Sequence, residues 1–188
     1  MTDYNTLPDD LPVPVDDGAA AHLAGASLPA LTVAATSGEA VALDRLGEGR
    51  GVLYFYPLTG RPGVDLPGGW NDIPGARGCT TEACDFRDHH ADLVAAGAAT
   101  VYGVSSQQSD YQRELVERLA LPFSMLSDPD LRLARALDLP TFTAGAQRLY
   151  SRLTLIVRDG RVERAFYPIF PPNEHAQQVL AWLRANPA

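Results

Sequence analysis

Cys79 and Cys84 are the only cysteines among 188 residues, and they lie five apart where a Gly- and Pro-rich loop gives way to a helical pattern. A thiol at a helix start meets unpaired first-turn amides and the positive end of the helix dipole, both of which favour its anion. The position predicts a Cys79 pKa below the reference value of about 8.5, so that the thiolate, the nucleophilic form, is accessible near neutral pH. The plain alternative is a pair of small buried residues without chemistry. Placement directly after a buried strand and its loop argues against it.

The spacing limits the redox chemistry. Residues five apart on a helix are separated by about 7.5 Å along the axis and about 140° around it. A disulfide needs Cα atoms within about 7 Å and converging Cβ vectors, so the two sulfurs cannot bond until the first turn unwinds. A C-x-x-C dithiol closes without such a change. The C-x-x-x-x-C spacing suits a cysteine that reacts first with another molecule and is resolved afterwards.

The elements around the pair follow from hydrophobic patterning. Gly51–Tyr56 (GVLYFY) is a continuous β-branched and aromatic run, the pattern of a central strand buried on both faces, and it stops at Pro57. Residues 58–78 form a long Gly/Pro-rich loop, and loops of that length inside a compact domain are functional or mobile. Thr80 to about Ala96 reads as one helix capped by Thr80 or Thr81, with Phe86, His90, Leu93 and Val94 on roughly one face. Gly97 ends it.

Upstream, Leu31–Ala34 and Ala40–Leu43 flank Thr36-Ser37-Gly38 as a hairpin. Downstream, Thr100–Ser106 reads as a strand, Ser109–Leu119 as a helix, Phe123–Leu126 as a strand, and Asp128–Leu137 as a helix capped by Ser127 or Asp128. Tyr150–Val157 and Arg161–Tyr167 flank Asp159-Gly160, a two-residue hairpin signal, and Asn173 is placed to cap a final helix through Leu183. The expected fold class is α/β: a thioredoxin-like layout with a mixed central sheet, helices on both faces and an N-terminal hairpin. Residues 1–27 read as a poorly packed arm with little chemistry and 28–188 as one domain, with no internal repeat.

Composition narrows the function classes. The formal charge of −8 disfavours nucleic acid or an anionic membrane as partner. The absence of lysine excludes Schiff-base chemistry. Two cysteines, no apolar run of membrane-spanning length and no basic, apolar leader indicate a soluble cytoplasmic protein in a reducing compartment. His89 and His90 point about 100° apart on a helix and have no accompanying ligand set, so no metal is expected. The Gly-rich loop lacks a P-loop ending, and Ser105-Ser106 lack a nucleophile elbow. No cofactor is expected.

The segments VLYFYP (52–57), GCTTEACDFRDHHADL (78–93), LSDPD (126–130) and SRLTLIV (151–157) together resemble the peroxiredoxins, specifically the bacterioferritin-comigratory or Q-type group, over roughly residues 28–185. The resemblance implies a thiol-dependent, antioxidant peroxidase. In it, Cys79 is the peroxidatic cysteine, oxidised to a sulfenic acid by H2O2 or an organic hydroperoxide. Cys84 is the resolving cysteine that condenses with it to a disulfide, and thioredoxin or a related dithiol restores both thiols. It implies a monomer or weak homodimer. It also matches Arg152 to an arginine beside the sulfur, where a guanidinium lowers the thiol pKa and donates to peroxide oxygens. Glu82 and Arg87 match positions that order the helix and its arginine contacts, and Tyr56 closes the strand before the motif proline. A redox-sensing binding module on the same fold is the alternative; it would react once and stall.

One departure stands out. The family places a proline and a threonine seven and three residues before the peroxidatic cysteine, and here those offsets hold Asp72 and Ala76. A segment around Val64–Arg77 is inserted before Gly78 relative to the family pattern, so Pro57 and Thr59 are expected to take the motif roles, with Thr80 or loop amides next in line. The insertion carries Trp70 and Ile73, which suit a cover over the site, a subunit contact or a floppy excursion.

Overall fold

The computed structural model describes residues 6–8 and 10–187, so part of the expected N-terminal arm, at residues 1–5 and 9, lies outside the described residues. The elements in chain order are β1 (Thr32–Ala35), β2 (Ala40–Ala42), β3 (Arg50–Phe55), α1 (Cys79–Asp88), α2 (His90–Ala95), β4 (Ala98–Ser105), α3 (Ser109–Leu119), β5 (Met125–Ser127), α4 (Arg132–Leu137), β6 (Thr141–Ala144), β7 (Gln147–Tyr150), β8 (Leu153–Arg158), β9 (Arg161–Phe166) and α5 (His175–Ala185). Seven strands make one mixed sheet in the order β2-β1-β5-β4-β3-β8-β9, and β6 pairs with β7 alone. The expected mixed sheet is present.

β3 sits between parallel β4 and antiparallel β8, and all six of its residues are buried. Its side chains alternate between two cores, as a period of two requires. Val52, Tyr54 and Tyr56 meet Ala83 and Phe86 of α1, Leu93 of α2, Leu115 of α3 and Val179 of α5. Leu53 and Phe55 face the other layer, with Leu133 and Leu137 of α4. That second core also contains Ala20 and Leu23, so the packed body reaches further towards the N-terminus than the expected boundary at residue 28. Among the described residues no helix is long and apolar enough to cross a membrane.

Several local expectations are corrected. The helix expected over Thr80–Ala96 breaks at His89, whose Nδ1 lies 2.9 Å from the Asp85 carbonyl. The break turns α2 so that Leu93 is buried while Val94 is 48% exposed. The cap of α1 is Gly78, not Thr80 or Thr81; the Thr81 hydroxyl instead donates to the Gly78 carbonyl at 2.9 Å. Asn173 lies in a 3-10 turn, Pro172–Glu174, and does not cap α5. That end is satisfied from α1: Asp85 Oδ2 accepts from the Ala176 amide at 2.7 Å. Asp128 does serve α4, accepting from the amides of Arg132 (3.1 Å) and Leu133 (2.8 Å), although the helix begins only at Arg132.

The run expected as one strand, Tyr150–Val157, is two: β7 ends at Tyr150 and β8 starts at Leu153. Between them Ser151 and Arg152 leave the ladder, which turns Arg152 inward. The Asp159-Gly160 turn holds both residues at positive φ, 51° and 70°, as a tight hairpin with right-handed strand twist requires.

Candidate active site

The site lies at the carboxyl ends of the parallel strands β3 and β4, where a doubly wound sheet opens a crevice. β3 runs into Pro57-Leu58-Thr59, β4 runs into Gln107, and α1 begins there with Cys79 as its first residue. Gly78 makes this entry possible. Its φ is 104°, and a Cβ there would stand 2.4 Å from Pro172 Cγ and 3.0 Å from Leu7 Cδ2.

Cys79 is 3% exposed. Its Sγ lies 3.2 Å from Arg152 Nη2 and donates to the Ala76 carbonyl at 3.4 Å, and the Leu58 backbone N–H faces it from the other loop. Arg152, also 3% exposed, is held from both ends. Nη1 donates to Glu82 Oε2, and Nη2 is shared with the carbonyls of Gly75 (3.3 Å), Ala76 (3.4 Å) and Arg77 (3.2 Å). Arg152 Nε has no partner among the described residues. Cys79, Glu82 and Arg152 thus form a buried trio in which Glu82, three residues after the cysteine on α1, orients the guanidinium against the sulfur.

The Redoxin family profile matches residues 23–180. The chain belongs to the Redoxin family. Within that family it stands with the peroxiredoxin Q and bacterioferritin-comigratory proteins. It is 28% identical over 162 residues to the chloroplastic peroxiredoxin Q of Suaeda salsa, covering 86% of this chain and 67% of that one. It is also 28% identical over 162 residues to the putative peroxiredoxin bcp of Coxiella burnetii, at 85% and 97% coverage. Among solved structures, peroxidoxin BcpB from Mycobacterium tuberculosis superposes with a TM-score of 0.70 at 24% identity, covering 88% of this chain and 98% of that one. Xanthomonas campestris peroxiredoxin Q superposes at 0.62 with 28% identity, at 86% and 97% coverage. The thioredoxin-like fold expected from the sequence is the fold of these peroxiredoxins.

Charge balance in this Redoxin site differs from the sequence expectation. Burial pushes the Cys79 thiol up; Arg152 and the Leu58 amide pull it down, and Glu82 adds to the rise. The helix-start argument assumed a thiol in contact with water, and the closed pocket removes that hydration. Burial likewise pushes Glu82 up to about 7, against the pull of Arg152. The two acids therefore compete for one guanidinium, and ionising either makes ionising the other harder. Glu82→Gln keeps an acceptor for Arg152 and removes the competing charge. The pH midpoint of the Cys79 reaction with H2O2, followed by stopped-flow fluorescence, is expected to move to lower pH in that variant; an unmoved or higher midpoint contradicts the competition.

The remaining expected residues divide. Pro57 and Thr59 are buried in the loop after β3, next to Leu58. The Thr59 hydroxyl donates to Gln107 Oε1 at 2.9 Å, and its carbonyl accepts from Gln107 Nε2 (3.2 Å) and the Tyr111 hydroxyl (3.1 Å). With its proton committed, Thr59 Oγ1 can meet a further ligand only as an acceptor. Tyr56 is fully buried and accepts from Gln112 Nε2 at 3.2 Å. Cys84 is partly exposed on α1. Arg87 stands beside Cys84, donating to Asp88 Oδ1 at 2.8 Å and to the Leu119 carbonyl at 3.1 Å, away from the Arg152 cluster.

Sequence reasoning missed Gln107, Tyr111 and Asp85. Only Gln107 carried a signal, as a polar residue just past the end of a buried strand. The segment expected to be an insertion is packed, not floppy: its Trp70, Ile73 and Ala76 form a small core with Leu58 and with Phe142, Ala144 and Leu149 of the β6–β7 hairpin, and the Trp70 and Phe142 rings lie 6.1 Å apart. The N-terminal arm, expected to be idle, also reaches the site, with Leu11 and Pro12 beside Arg77 and Arg152 and Pro14 against Gly75.

Proposed function

We propose that this chain is a peroxiredoxin Q-type thiol peroxidase in which Cys79 reduces H2O2 and organic hydroperoxides. The observation that carries the reading is the Arg152 Nη2–Cys79 Sγ approach of 3.2 Å with the guanidinium fixed by Glu82. The thiolate attacks the terminal peroxide oxygen; an S–O bond forms as the O–O bond breaks. The other oxygen leaves as alkoxide or hydroxide and takes up a proton, giving Cys79 sulfenic acid and an alcohol or water. Arg152 stabilises charge on both oxygens, with Nε as a spare donor.

Thr59 supports the substrate by accepting the peroxide O–H at Oγ1. Thr59→Val is expected to lower peroxide kcat/KM about tenfold by leaving that donor unmatched; an unchanged value removes Thr59 from the site.

Cys84 attacks the Cys79 sulfenic sulfur, expelling water and forming the intramolecular disulfide, once the first turn of α1 has opened. Thioredoxin or a related dithiol then reduces the disulfide, which suits a reducing compartment such as the cytoplasm. The reading is tested by H2O2 consumption with dithiothreitol or thioredoxin as reductant. Wild type is expected to turn over and Cys79→Ser to fall to the uncatalysed background; equal rates for the two defeat the proposal.

A further inference from the structure

Cys79 and Arg152 are each 3% exposed, so a reagent meets a closed surface before it meets the sulfur. Part of that surface is the N-terminal arm. A cavity of about 10 Å³ touches Arg152 between Leu11 and Pro12 on one side and Ile169 and Phe170 on the other. It has room for about one water molecule. A second, of about 50 Å³, touches Arg152 beneath Pro14 and beside Tyr167. Leu11 also lines a far larger groove of about 630 Å³, which opens on Thr81 and Cys84 of α1. One side chain is thus a wall both of the guanidinium cavity and of the open groove along the helix.

The arm is held down lightly along its length and firmly at one end. Residues 11–17 belong to no helix or strand, and among the described residues no backbone–backbone hydrogen bond ties them to the body. Pro12 and Pro14 have no N–H to give. The inward side chains, Leu11, Pro12 and Pro14, are half-buried, whereas Val13 and Val15 between and after them are 61% and 83% exposed. Leu11 joins neither main core nor the small core around Trp70. The firm end follows. The Gly18 and Ala19 amides donate to Asp16 Oδ1 (2.9 Å) and Asp17 Oδ1 (3.0 Å), Tyr167 hydrogen-bonds Asp17, and Ala20 and Leu23 then enter the core. A segment with few apolar contacts and no hydrogen-bond ladder opens at low free-energy cost, while the fold beneath it stays intact.

We infer that residues 11–17 are a strap that closes over the Cys79–Arg152 pair, latched by Leu11, and that it lifts about the Asp16–Gly18 turn before a reagent reaches the sulfur. The inference concerns access to Cys79 and goes beyond the peroxidase reading. The reaction rate of the buried thiol is then its rate in the lifted state multiplied by the fraction of chains lifted. Lifting also returns water to the sulfur, which relieves the burial that opposes its ionisation.

The test is the alkylation rate of Cys79 by iodoacetamide in the full chain carrying Cys84→Ser, followed by intact-mass spectrometry. It needs no peroxide turnover, so its outcome is independent of the peroxidase reading. Adding Leu11→Ser is expected to raise the rate about fivefold, the effect of weakening one half-buried leucine contact. Val13→Ser, on the outer side of the same strap, is expected to leave it unchanged. An unmoved rate in Leu11→Ser, or an equal rise in Val13→Ser, overturns the latch. Urea separates lifting from general damage. Below the unfolding midpoint the alkylation rate of the parent and of Leu11→Ser should climb only shallowly with urea, because lifting the strap exposes little surface. A slope equal to that of global unfolding would mean that the sulfur is reached only when the whole chain unfolds, and that the strap is no gate.

Discussion

Arg152→Met is expected to lower kcat/KM for H2O2 by about 10³-fold, the loss that follows removal of a preorganised donor from a developing oxyanion. Two effects combine. The sulfur loses the guanidinium that opposes its burial, and the leaving oxygen loses its hydrogen bonds. Arg152→Lys is not expected to rescue the rate, because a single ammonium cannot hold Glu82 and the sulfur at once as the guanidinium fork does.

Stability separates this from simple damage. Without Arg152 the fully buried Glu82 has no counter-charge, and an unpaired buried charge costs about 3–5 kcal/mol. The folded pKa of Glu82 already lies above its unfolded value, and losing Arg152 raises it further. A carboxyl with a raised folded pKa destabilises above that pKa, and the cost is relieved as pH falls towards the unfolded value. The urea midpoint of Arg152→Met should therefore fall more at pH 8 than at pH 6. Adding Glu82→Gln should restore the midpoint but not the rate. If the double variant regains activity, Arg152 acts only through folding.

Cys84→Ser is expected to change the fate of the oxidised enzyme. In wild type, excess H2O2 should yield mainly the Cys79–Cys84 disulfide. The variant has no thiol to intercept the sulfenic acid and should gain two oxygens on Cys79 as a sulfinic acid, read by intact-mass spectrometry. Thioredoxin-supported turnover should fall to background in the same variant. Wild type that also accumulates sulfinic acid would mean that opening the first turn of α1 is slower than a second peroxide attack. That turn is held by the Thr81–Gly78 contact, the Glu82–Arg152 pair and the packing of Pro172 and Leu7 on Gly78, all of which must part.

What could be read from the sequence was local or periodic. The GVLYFY run announced a strand buried on both faces, Asp159-Gly160 announced its hairpin, and the five-residue cysteine spacing on a helix announced a pair that cannot bond without unwinding. Arg152 is different: nothing about an arginine between two short runs points to a sulfur 73 positions away, and it was reached only through resemblance. The features that were missed depend on partners distant in sequence. Asp85 satisfies the start of α5, Gln107 holds Thr59, and the inserted segment buries Trp70 against a hairpin that has no strong pattern of its own. The helix-start argument for a low thiol pKa failed for the same reason, since burial of Cys79 is a property of the assembled loops and not of α1.

The central claim is that Cys79 is the group that peroxide oxidises. The most direct measurement is sulfenic acid trapping with dimedone after one equivalent of H2O2, in Cys84→Ser and in the Cys79→Ser counterpart, located by peptide mass spectrometry. One adduct per chain on Cys79 in the first variant and none in the second is the predicted result; an adduct on Cys84, or none on Cys79, would contradict it.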